Sequence, residues 1–438
     1  MDFILFLIVN ATLFLRPGEL VPSLADVPIY NITIIAALAA AAPRVVDRLR
    51  PASLAREPVT ACVLGLVPAV ILSHMVRLET LPARTCAWEF SKLVIYYLLL
   101  VTVVDSLARL RMFLYCIAVF TAAIAALAVL QFHGYVDIRS LTALEHEEEL
   151  NVETGELIVF TRLRATGIFH DPNDLSTIAV LAMVICTMGL FDGRFGLFRV
   201  AWLAPIVLFL VTLALTKSRG GLLACLAAGA TLSYFRFGLW RTAIVACLVL
   251  PAVLFAGGRQ ADVRAALKSG TGASRVELWS DGLTALRRSP LFGIGCENYA
   301  EEFGQVAHNS FVHCFVELGL YGGTLFLGAF WFSGFGLWRL HREFRRRSGR
   351  LAGTAFRRML PYLFSIVACS AVSQFTLSRC YVVPTYLVFG VANAYCLESR
   401  RRGLPSMVRV TPGRAVQLLA LSAAFLAATY LFIRLGFR

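Results

Sequence analysis

The stretch AWLAPIVLFLVTLALTKSRGGLLACLAAGATLSYF, residues 201–235, consists of two apolar runs separated by one polar corner. Each run has roughly the length, about 20 residues, that crosses the hydrocarbon layer of a membrane as a helix. Neither run alternates like a strand, and backbone groups in lipid must be hydrogen-bonded within their own segment. The stretch therefore predicts two membrane-spanning helices joined by a tight turn.

The same pattern recurs along the 438-residue chain, which is 58% hydrophobic and 16% charged with a mean hydropathy of +0.72. A soluble domain is typically about half apolar and about a quarter charged. Apolar runs lie near 3–15, 26–42, 58–77, 92–108, 111–132, 173–190, 200–216, 220–236, 240–257, 311–338, 359–377, 381–397 and 415–435. We predict an all-α, polytopic membrane helical bundle of about 11–13 spans, whose first span is not cleaved.

The net charge of +14 does not indicate nucleic-acid binding once the charges are placed. RLHREFRRRSGR (339–350) and ESRRRG (398–403) are short basic runs beside apolar segments, as in cytoplasmic loops that fix membrane topology. The eleven cysteines form no CxxC pair, so the sequence indicates neither a zinc ribbon nor a disulfide framework.

If residues 339–358 are cytoplasmic, counting the predicted spans in both directions from them places six basic loops on the same side of the membrane. The amino terminus is then predicted inside and the carboxyl terminus outside. Two long segments, about 133–172 and about 258–310, face the exterior, and loops of this length are often functional. We predict five consecutive segments: 1–132, N-terminal membrane helices; 133–172, first external loop; 173–257, central membrane helices; 258–310, large external loop with short amphipathic helices; 311–438, C-terminal membrane helices with basic cytoplasmic loops.

Several basic residues fall on the predicted external side, which favours one shared site. Arg219 lies in the corner TKSRGG (216–221), where two glycines let backbone approach a ligand closely. Arg275 opens an amphipathic segment predicted to lie on the bilayer interface. Together, the two guanidinium groups suit the oxygens of a diphosphate. Alternatively, both are interfacial cations, and Lys217 is a solvated helix-end residue.

His308 stands at the start of a long apolar run, in AHNSFVHCFVELGLYGG (307–323). An imidazole titrates near neutral pH and can act as a general base. Alternatively, His308 is only a neighbour of a capping Asn309. His313 and Glu317 share a helix face at a spacing of four and are interpreted as a structural pair. No HExxH pattern occurs, so no metal site is predicted.

The stretch FHDPNDLS (169–176) indicates a helix start with Pro172 in the first turn and Asp171 or Asn173 as cap. Arg164, nine residues before Asn173, is a weaker member of the external basic group.

Four motifs occur in a fixed order: RLRATGIFHDPNDLS, TKSRGG, SRVELW followed by SPLFGIGCENY, and HNSFVHCFVELGLYGG. In this order they resemble the O-antigen ligase and polymerase superfamily, membrane enzymes that act on undecaprenyl-diphosphate-linked glycans. The resemblance covers roughly residues 160–330.

The resemblance implies a helical bundle with a large periplasmic loop and metal-independent, inverting glycosyl transfer of the GT-C-like type. It implies that Arg219 and Arg275 bind the diphosphate and that His308 is the catalytic base. Arg164, Lys217, Asn309 and Glu317 would be supporting residues, and no cofactor is expected. The expected partners are the undecaprenyl-diphosphate glycan donor, a lipid, glycan or protein acceptor, and membrane lipids, with no nucleic acid. The implied location is the bacterial inner membrane, with the site facing the periplasm.

Two rival functions remain open at this stage. A polymerase would join lipid-linked repeats to one another, and a transporter would move the lipid-linked glycan without cleaving it. Transporters usually place ionisable groups near the middle of the membrane. The Arg and His residues here cluster at one surface, which favours an enzyme.

Overall fold

A computed structural model describes residues 1–138, 144–150, 157–244, 246–247, 270–346, 355–404 and 409–436. The longer helices are α1 (Asp2–Leu15), α2 (Ile29–Arg48), α3 (Pro58–Met75), α4 (Thr80–Val103), α5 (Leu107–Phe132), α6 (Pro172–Leu190), α7 (Leu203–Thr216), α8 (Arg219–Phe237), α9 (Gly270–Arg288), α10 (Ser310–Arg346), α11 (Ala355–Gln374), α12 (Val383–Arg401) and α13 (Pro412–Gly436). Short helical turns lie at Pro17–Leu20, Pro22–Leu24, Pro51–Leu54, Gly167–Phe169, Gly193–Trp202 and Tyr299–Phe303.

Eleven helices among the described residues are long and apolar enough to span a membrane. This confirms the predicted all-α, multi-pass membrane bundle. The predicted span at 240–257 lies mostly outside the described residues, and α12 is a further 19-residue helix. The prediction of 11–13 spans therefore holds.

The segment 133–172, predicted to be an external loop, contains a pair of β-strands that the apolar pattern did not predict. Strand β1 (Leu144–Leu150) pairs antiparallel with β2 (Leu157–Leu163), with Leu144 opposite Leu163. Strand β2 ends at Leu163, and the motif RATGIFHDPN begins at the next residue, Arg164.

The chain divides into two compact units. The first unit comprises Met1–Ala42, Val103–Ser269 and Ser348–Ser373, and the second comprises Pro43–Thr102, Gly270–Arg347 and Gln374–Arg438. Each unit draws on distant parts of the sequence. The division into five consecutive segments stays a prediction, since it describes loops and spans rather than compact units.

Helix α10 is interrupted at Gly319, whose φ of 67° and ψ of −168° are not helical. A preceding loop segment pairs with the backbone at this break. Gly295 N donates to Glu317 O at 3.1 Å, and Leu320 N donates to Pro290 O at 2.8 Å. Backbone groups freed inside an apolar segment need such partners. The motifs SPLFGIGCENY and HNSFVHCFVELG are therefore joined main chain to main chain.

Two glycines permit this close approach. Gly293 has a φ of 75°, and a Cβ placed there would collide with the backbone of Glu317. A Cβ at Gly319 would collide with the backbone of Leu291. Neither neighbour is the end of a flexible side chain, so neither can move away cheaply.

Replacing Gly319 by alanine is therefore expected to destabilise the second unit. The backbone conformation alone costs of order 1–3 kcal/mol for a residue with a Cβ, and the overlap with Leu291 adds to this. Thermal unfolding of the purified protein measures the loss. Gly334→Ala in the same helix is the matched control, because the added Cβ would meet nothing within 4 Å apart from its chain neighbours and the backbone of its own helix. Equal unfolding temperatures for the two variants would contradict the structural account of the break.

Candidate functional site

Asn173, at the start of α6, links two motifs of the resemblance within the first unit. Its side-chain oxygen accepts hydrogen bonds from Arg162 Nη2 at 3.0 Å and from Ser218 Oγ at 2.7 Å. Asp171 Oδ1 accepts from the backbone N of Asn173 at 2.8 Å and from its Nδ2 at 2.9 Å. Asp171 is thus the helix cap, and the side chain of Asn173 connects the motif RATGIFHDPN to the corner TKSRGG.

Arg162 strengthens this connection from the end of β2. Its side chain is buried, and its Nε donates to the backbone O of Thr216 at 2.9 Å. That carbonyl belongs to the last turn of α7, where a cation is favourable. Arg164, two residues later, is half-buried and directly follows the strand.

The corner between α7 and α8 holds Lys217 and Arg219 in defined backbone positions. Lys217 lies in the left-handed region with a φ of 48°. Ser218 caps α8, accepting a hydrogen bond from Gly221 N at 3.0 Å, and Arg219 is the first residue of that helix. A Cβ at Gly221 would collide with Ser176, so the glycine lets α8 pack closely against α6. A left-handed lysine is a strained residue of the kind that clusters at functional sites.

The corner combines the amino end of a helix with two basic side chains. The amino end of a helix carries a partial positive charge and attracts anions. Lys217 and Arg219 are both half-buried beside the start of α8. Lys217 and Arg219 thus flank Ser218, which bonds to Asn173, and Arg164 follows Arg162 by two residues.

His308 is held in an unusual backbone conformation in the second unit. Its φ is 49°, which side chains rarely adopt, and the residue is half-buried. The carbonyl O of the preceding Ala307 accepts a hydrogen bond from Trp279 Nε1 at 2.6 Å. His308 is therefore fixed on its amino-terminal side by α9.

Asn309 fixes His308 on the other side. Its Oδ1 accepts from the backbone N of Phe311 at 3.1 Å and of Val312 at 3.2 Å, which makes it the cap of α10. Asn309 is buried, so it supports His308 through the backbone. The capping interpretation of Asn309 therefore fits the geometry.

Arg275 lies on α9, one turn before Trp279, and is half-buried. Residues one turn apart share a helix face, so Arg275 lies on the same face of α9 as Trp279, which donates to Ala307 O. The apolar face of α9 packs within this unit, because Leu278 contacts a core that includes Tyr299, Val312 and Val316. The expectation that this face lies on the bilayer interface is wrong, since its side chains are already covered by protein.

Glu317 is fully buried and organises the interior behind His308. Its Oε1 accepts from the backbone N of Tyr299 at 3.0 Å and lies 3.0 Å from His313 Nε2. The rings of Tyr299 and His313 stack with centroids 5.1 Å apart. Glu317 therefore joins the short helix Tyr299–Phe303 to α10, as a structural pair with His313.

A histidine in α3, His74, holds the loop between α9 and α10. His74 is buried, with Nε2 3.0 Å from the carbonyl O of Cys296 and Nδ1 2.8 Å from Glu79 Oε2. The hydrogen bond from His74 lowers the pKa of the Glu79 carboxyl group. In the same loop, desolvation of the partly exposed Glu297 raises its pKa, and the carboxylates of Glu317 and Glu89 raise it further.

The sequence offered little signal for Arg162, His74 and Glu297. Arg162 lies in an apolar strand beside the more conspicuous Arg164, and His74 lies in an apolar run, 222 residues from Cys296. The glycines of SPLFGIGCENY indicate only that backbone approaches backbone, and they do not specify the partner.

Replacing Glu317 by alanine is expected to destabilise the second unit, because Tyr299 N and His313 lose a buried acceptor. Leaving a buried polar group unsatisfied costs about 1–3 kcal/mol. Glu317→Gln keeps an acceptor oxygen and is expected to lose clearly less stability than the alanine variant. Thermal unfolding of both variants measures the difference, and equal loss in both would show that the hydrogen bonds contribute nothing.

The residues named from the sequence thus come together as two groups. The first unit holds Arg164, Lys217 and Arg219, and the second unit holds Arg275, His308, Asn309 and Glu317. The convergence of the two groups on one ligand stays a prediction.

A family model described as O-antigen ligase matches residues 204–327. The matched range begins in α7 and ends in α10, and it contains the corner TKSRGG, Arg275, His308 and Glu317. No curated protein matches the chain. The match confirms the resemblance and supports an O-antigen ligase or polymerase type of glycan processing at a membrane.

Proposed function

We propose that this protein is a metal-independent glycosyltransferase, a proposal supported by the match of residues 204–327 to the family model described as O-antigen ligase. In this proposal it moves a glycan from an undecaprenyl-diphosphate carrier to an acceptor hydroxyl. The reaction takes place at the periplasmic face of the bacterial inner membrane. The polyprenyl chain stays in lipid throughout, and only the diphosphate and the first sugar enter the site.

The observation that carries this proposal is the pairing of four motifs that are distant along the chain. RATGIFHDPN is joined to TKSRGG because Asn173 Oδ1 accepts a hydrogen bond from Ser218 Oγ at 2.7 Å. The same oxygen accepts from Arg162 Nη2 at 3.0 Å. SPLFGIGCENY is joined to HNSFVHCFVELG through the main chain at Gly295 and Glu317. Arg219 lies in the first of these two pairs of motifs, and His308 lies in the second.

The proposed step is a single displacement at the anomeric carbon. His308 takes the proton of the acceptor hydroxyl as its oxygen attacks that carbon, and the bond to the diphosphate oxygen breaks. The carrier leaves as polyprenyl diphosphate, and attack from the opposite face inverts the anomeric configuration. General base catalysis of this kind contributes about 10²–10⁴-fold.

Arg219 and Arg275 bind the diphosphate and stabilise the charge that grows on it as it leaves. Their planar guanidinium groups each match two phosphate oxygens. The start of α8 adds its partial positive charge next to Arg219. Lys217 and Arg164 supply further positive potential, while Asn309 and Glu317 act only by holding the backbone and core behind His308.

The acceptor distinguishes a ligase from a polymerase. A ligase uses a finished lipid core, another glycan or a protein, whereas a polymerase uses a second lipid-linked repeat. We favour ligation because the family model that matches carries the description O-antigen ligase. The resemblance itself covers both activities.

The test is a reaction of the full-length purified protein with an undecaprenyl-diphosphate-linked glycan, in EDTA, with each class of acceptor offered separately. Transfer to a lipid core is expected, with release of undecaprenyl diphosphate. Transfer only to a second lipid-linked repeat would establish the polymerase instead. Movement of the donor across liposomes without bond cleavage would establish the transporter and overturn the proposal.

A further inference from the structure

A basic cavity of about 320 Å³ lies in the first unit, away from the corner TKSRGG. Its lining includes four arginines and one acid: Arg111, Arg236, Arg357, Arg358 and Asp192. It is built from the starts of α5 and α11 and the ends of α6 and α8. None of its lining residues belongs to the proposed transfer site.

The cavity and the corner lie at opposite ends of the same helices. Helix α6 begins beside Asn173 and ends at the cavity, and α8 begins at Arg219 and ends beside Arg236. A helix of 19 residues is about 28 Å long, which is close to the thickness of the hydrocarbon layer. The cavity therefore opens at the membrane face predicted to be cytoplasmic, at the opposite end of these helices from the corner TKSRGG.

Two of the arginines are held in fixed positions. The guanidinium of Arg236 lies 4.0 Å from the centroid of the Phe191 ring, and its Nη1 donates to Tyr362 Oη at 3.2 Å. Arg111 Nη1 lies 3.8 Å from Asp192. Within the part of the chain that the structure describes, the buried Nε of Arg111 has no hydrogen-bond partner. One acid cannot neutralise four guanidinium groups, so the cavity is suited to a multiply charged anion.

A second cavity of about 540 Å³ adjoins the first and shares Arg111 and Asp192 with it. Most of its other lining residues are apolar, and they include Met112, Val119 and Trp202. Met112 is 53% exposed and Val119 is 55% exposed on α5, which places the mouth of this cavity on the lipid-facing side of a membrane helix. An anion site continuous with an apolar groove fits an amphiphile better than a soluble anion.

We propose that the paired cavities bind an anionic phospholipid from the leaflet opposite the corner TKSRGG. The phosphate of the headgroup contacts Arg111, Arg236, Arg357 and Arg358, and an acyl chain lies along Met112 and Val119. Basic pockets between membrane helices on the cytoplasmic side are known to hold such headgroups. This site is separate from the polyprenyl-diphosphate site, and it does not depend on the transfer reaction.

Native mass spectrometry of the full-length protein in neutral detergent tests this proposal. The probes are dioleoyl phosphatidylglycerol, dioleoyl phosphatidylcholine, glycerol 1-phosphate and inorganic phosphate. The variant is Arg357→Gln with Arg358→Gln, since both residues are exposed and their replacement leaves the core intact. The matched control is Arg199→Gln with Arg241→Gln, which removes two exposed guanidinium groups from the same predicted face.

Phosphatidylglycerol is expected to bind in preference to phosphatidylcholine. Each basic residue near the headgroup strengthens the binding of an anionic lipid. The double variant at Arg357 and Arg358 should therefore bind phosphatidylglycerol about tenfold to thirtyfold more weakly. The control pair should bind it with nearly unchanged affinity. Equal weakening in both double variants would overturn the proposal, because it would mean general surface attraction. Competition by inorganic phosphate or glycerol 1-phosphate at the concentrations at which the lipid binds would also overturn it, because the site would then be one for soluble phosphate.

Discussion

Replacing His308 by alanine is expected to lower the turnover number by about 10²–10⁴-fold while leaving donor binding nearly unchanged. In the proposed step the imidazole accepts the proton of the attacking hydroxyl, and it makes no contact with the diphosphate. Donor binding is measured separately from turnover, by isothermal titration of the lipid-linked glycan without acceptor.

His308 has a left-handed backbone, so its replacement could also alter the chain locally. His308→Asn separates the two effects, because asparagine tolerates this conformation and cannot act as the base. Both variants should therefore lose turnover to a similar extent. His133→Ala, at an exposed histidine just after α5, is the matched control and should turn over normally. Normal turnover by His308→Asn would contradict the general-base function, although the arginine contacts could still be correct.

Replacing Arg219 or Arg275 by lysine is expected to lower kcat/KM by roughly a hundredfold, although the charge is kept. A lysine offers a point charge where a guanidinium group offers two parallel hydrogen bonds to phosphate oxygens. Loss of one preorganised donor to a developing charge typically costs about 10²–10³-fold in rate. Arg288→Lys, at an exposed position on the same helix as Arg275, is the matched control and should retain activity.

The double variant adds information that neither single variant gives. Groups that contact one ligand couple energetically, whereas distant independent groups have additive effects. If both arginines hold one diphosphate, the double lysine variant should lose less than the product of the two single losses. Strict additivity of the losses in free energy would indicate that the two guanidinium groups serve different functions.

The fold class was accessible from the sequence because the membrane limits the possible structures. An apolar run of about 20 residues has few options other than a helix. The break in α10 was not accessible in this way. The run FVHCFVELGLYGG keeps its apolar character through Gly319, and only the partner segment near Pro290 explains why the helix is interrupted there. Contacts between distant segments decide such features.

Only part of the candidate site could be predicted, because contacts between distant segments also position its residues. Arg219 and His308 stand next to conspicuous local signals, a glycine-rich corner and a helix start. Arg162 and His74 carry no such signal, because their function depends on partners at Thr216 and Cys296 that pattern alone cannot identify. Glu317 was paired correctly with His313 from helix spacing, whereas its bond to Tyr299 spans a loop.

A structure of the protein with a non-hydrolysable polyprenyl-diphosphate glycan bound would show whether one diphosphate contacts both arginines. Diphosphate oxygens are expected within about 4 Å of the guanidinium groups of both Arg219 and Arg275, as in a charge-assisted contact. The first sugar is expected beside the imidazole of His308. A diphosphate bound elsewhere, or bound by one of these arginines with the other far away, would contradict the proposal.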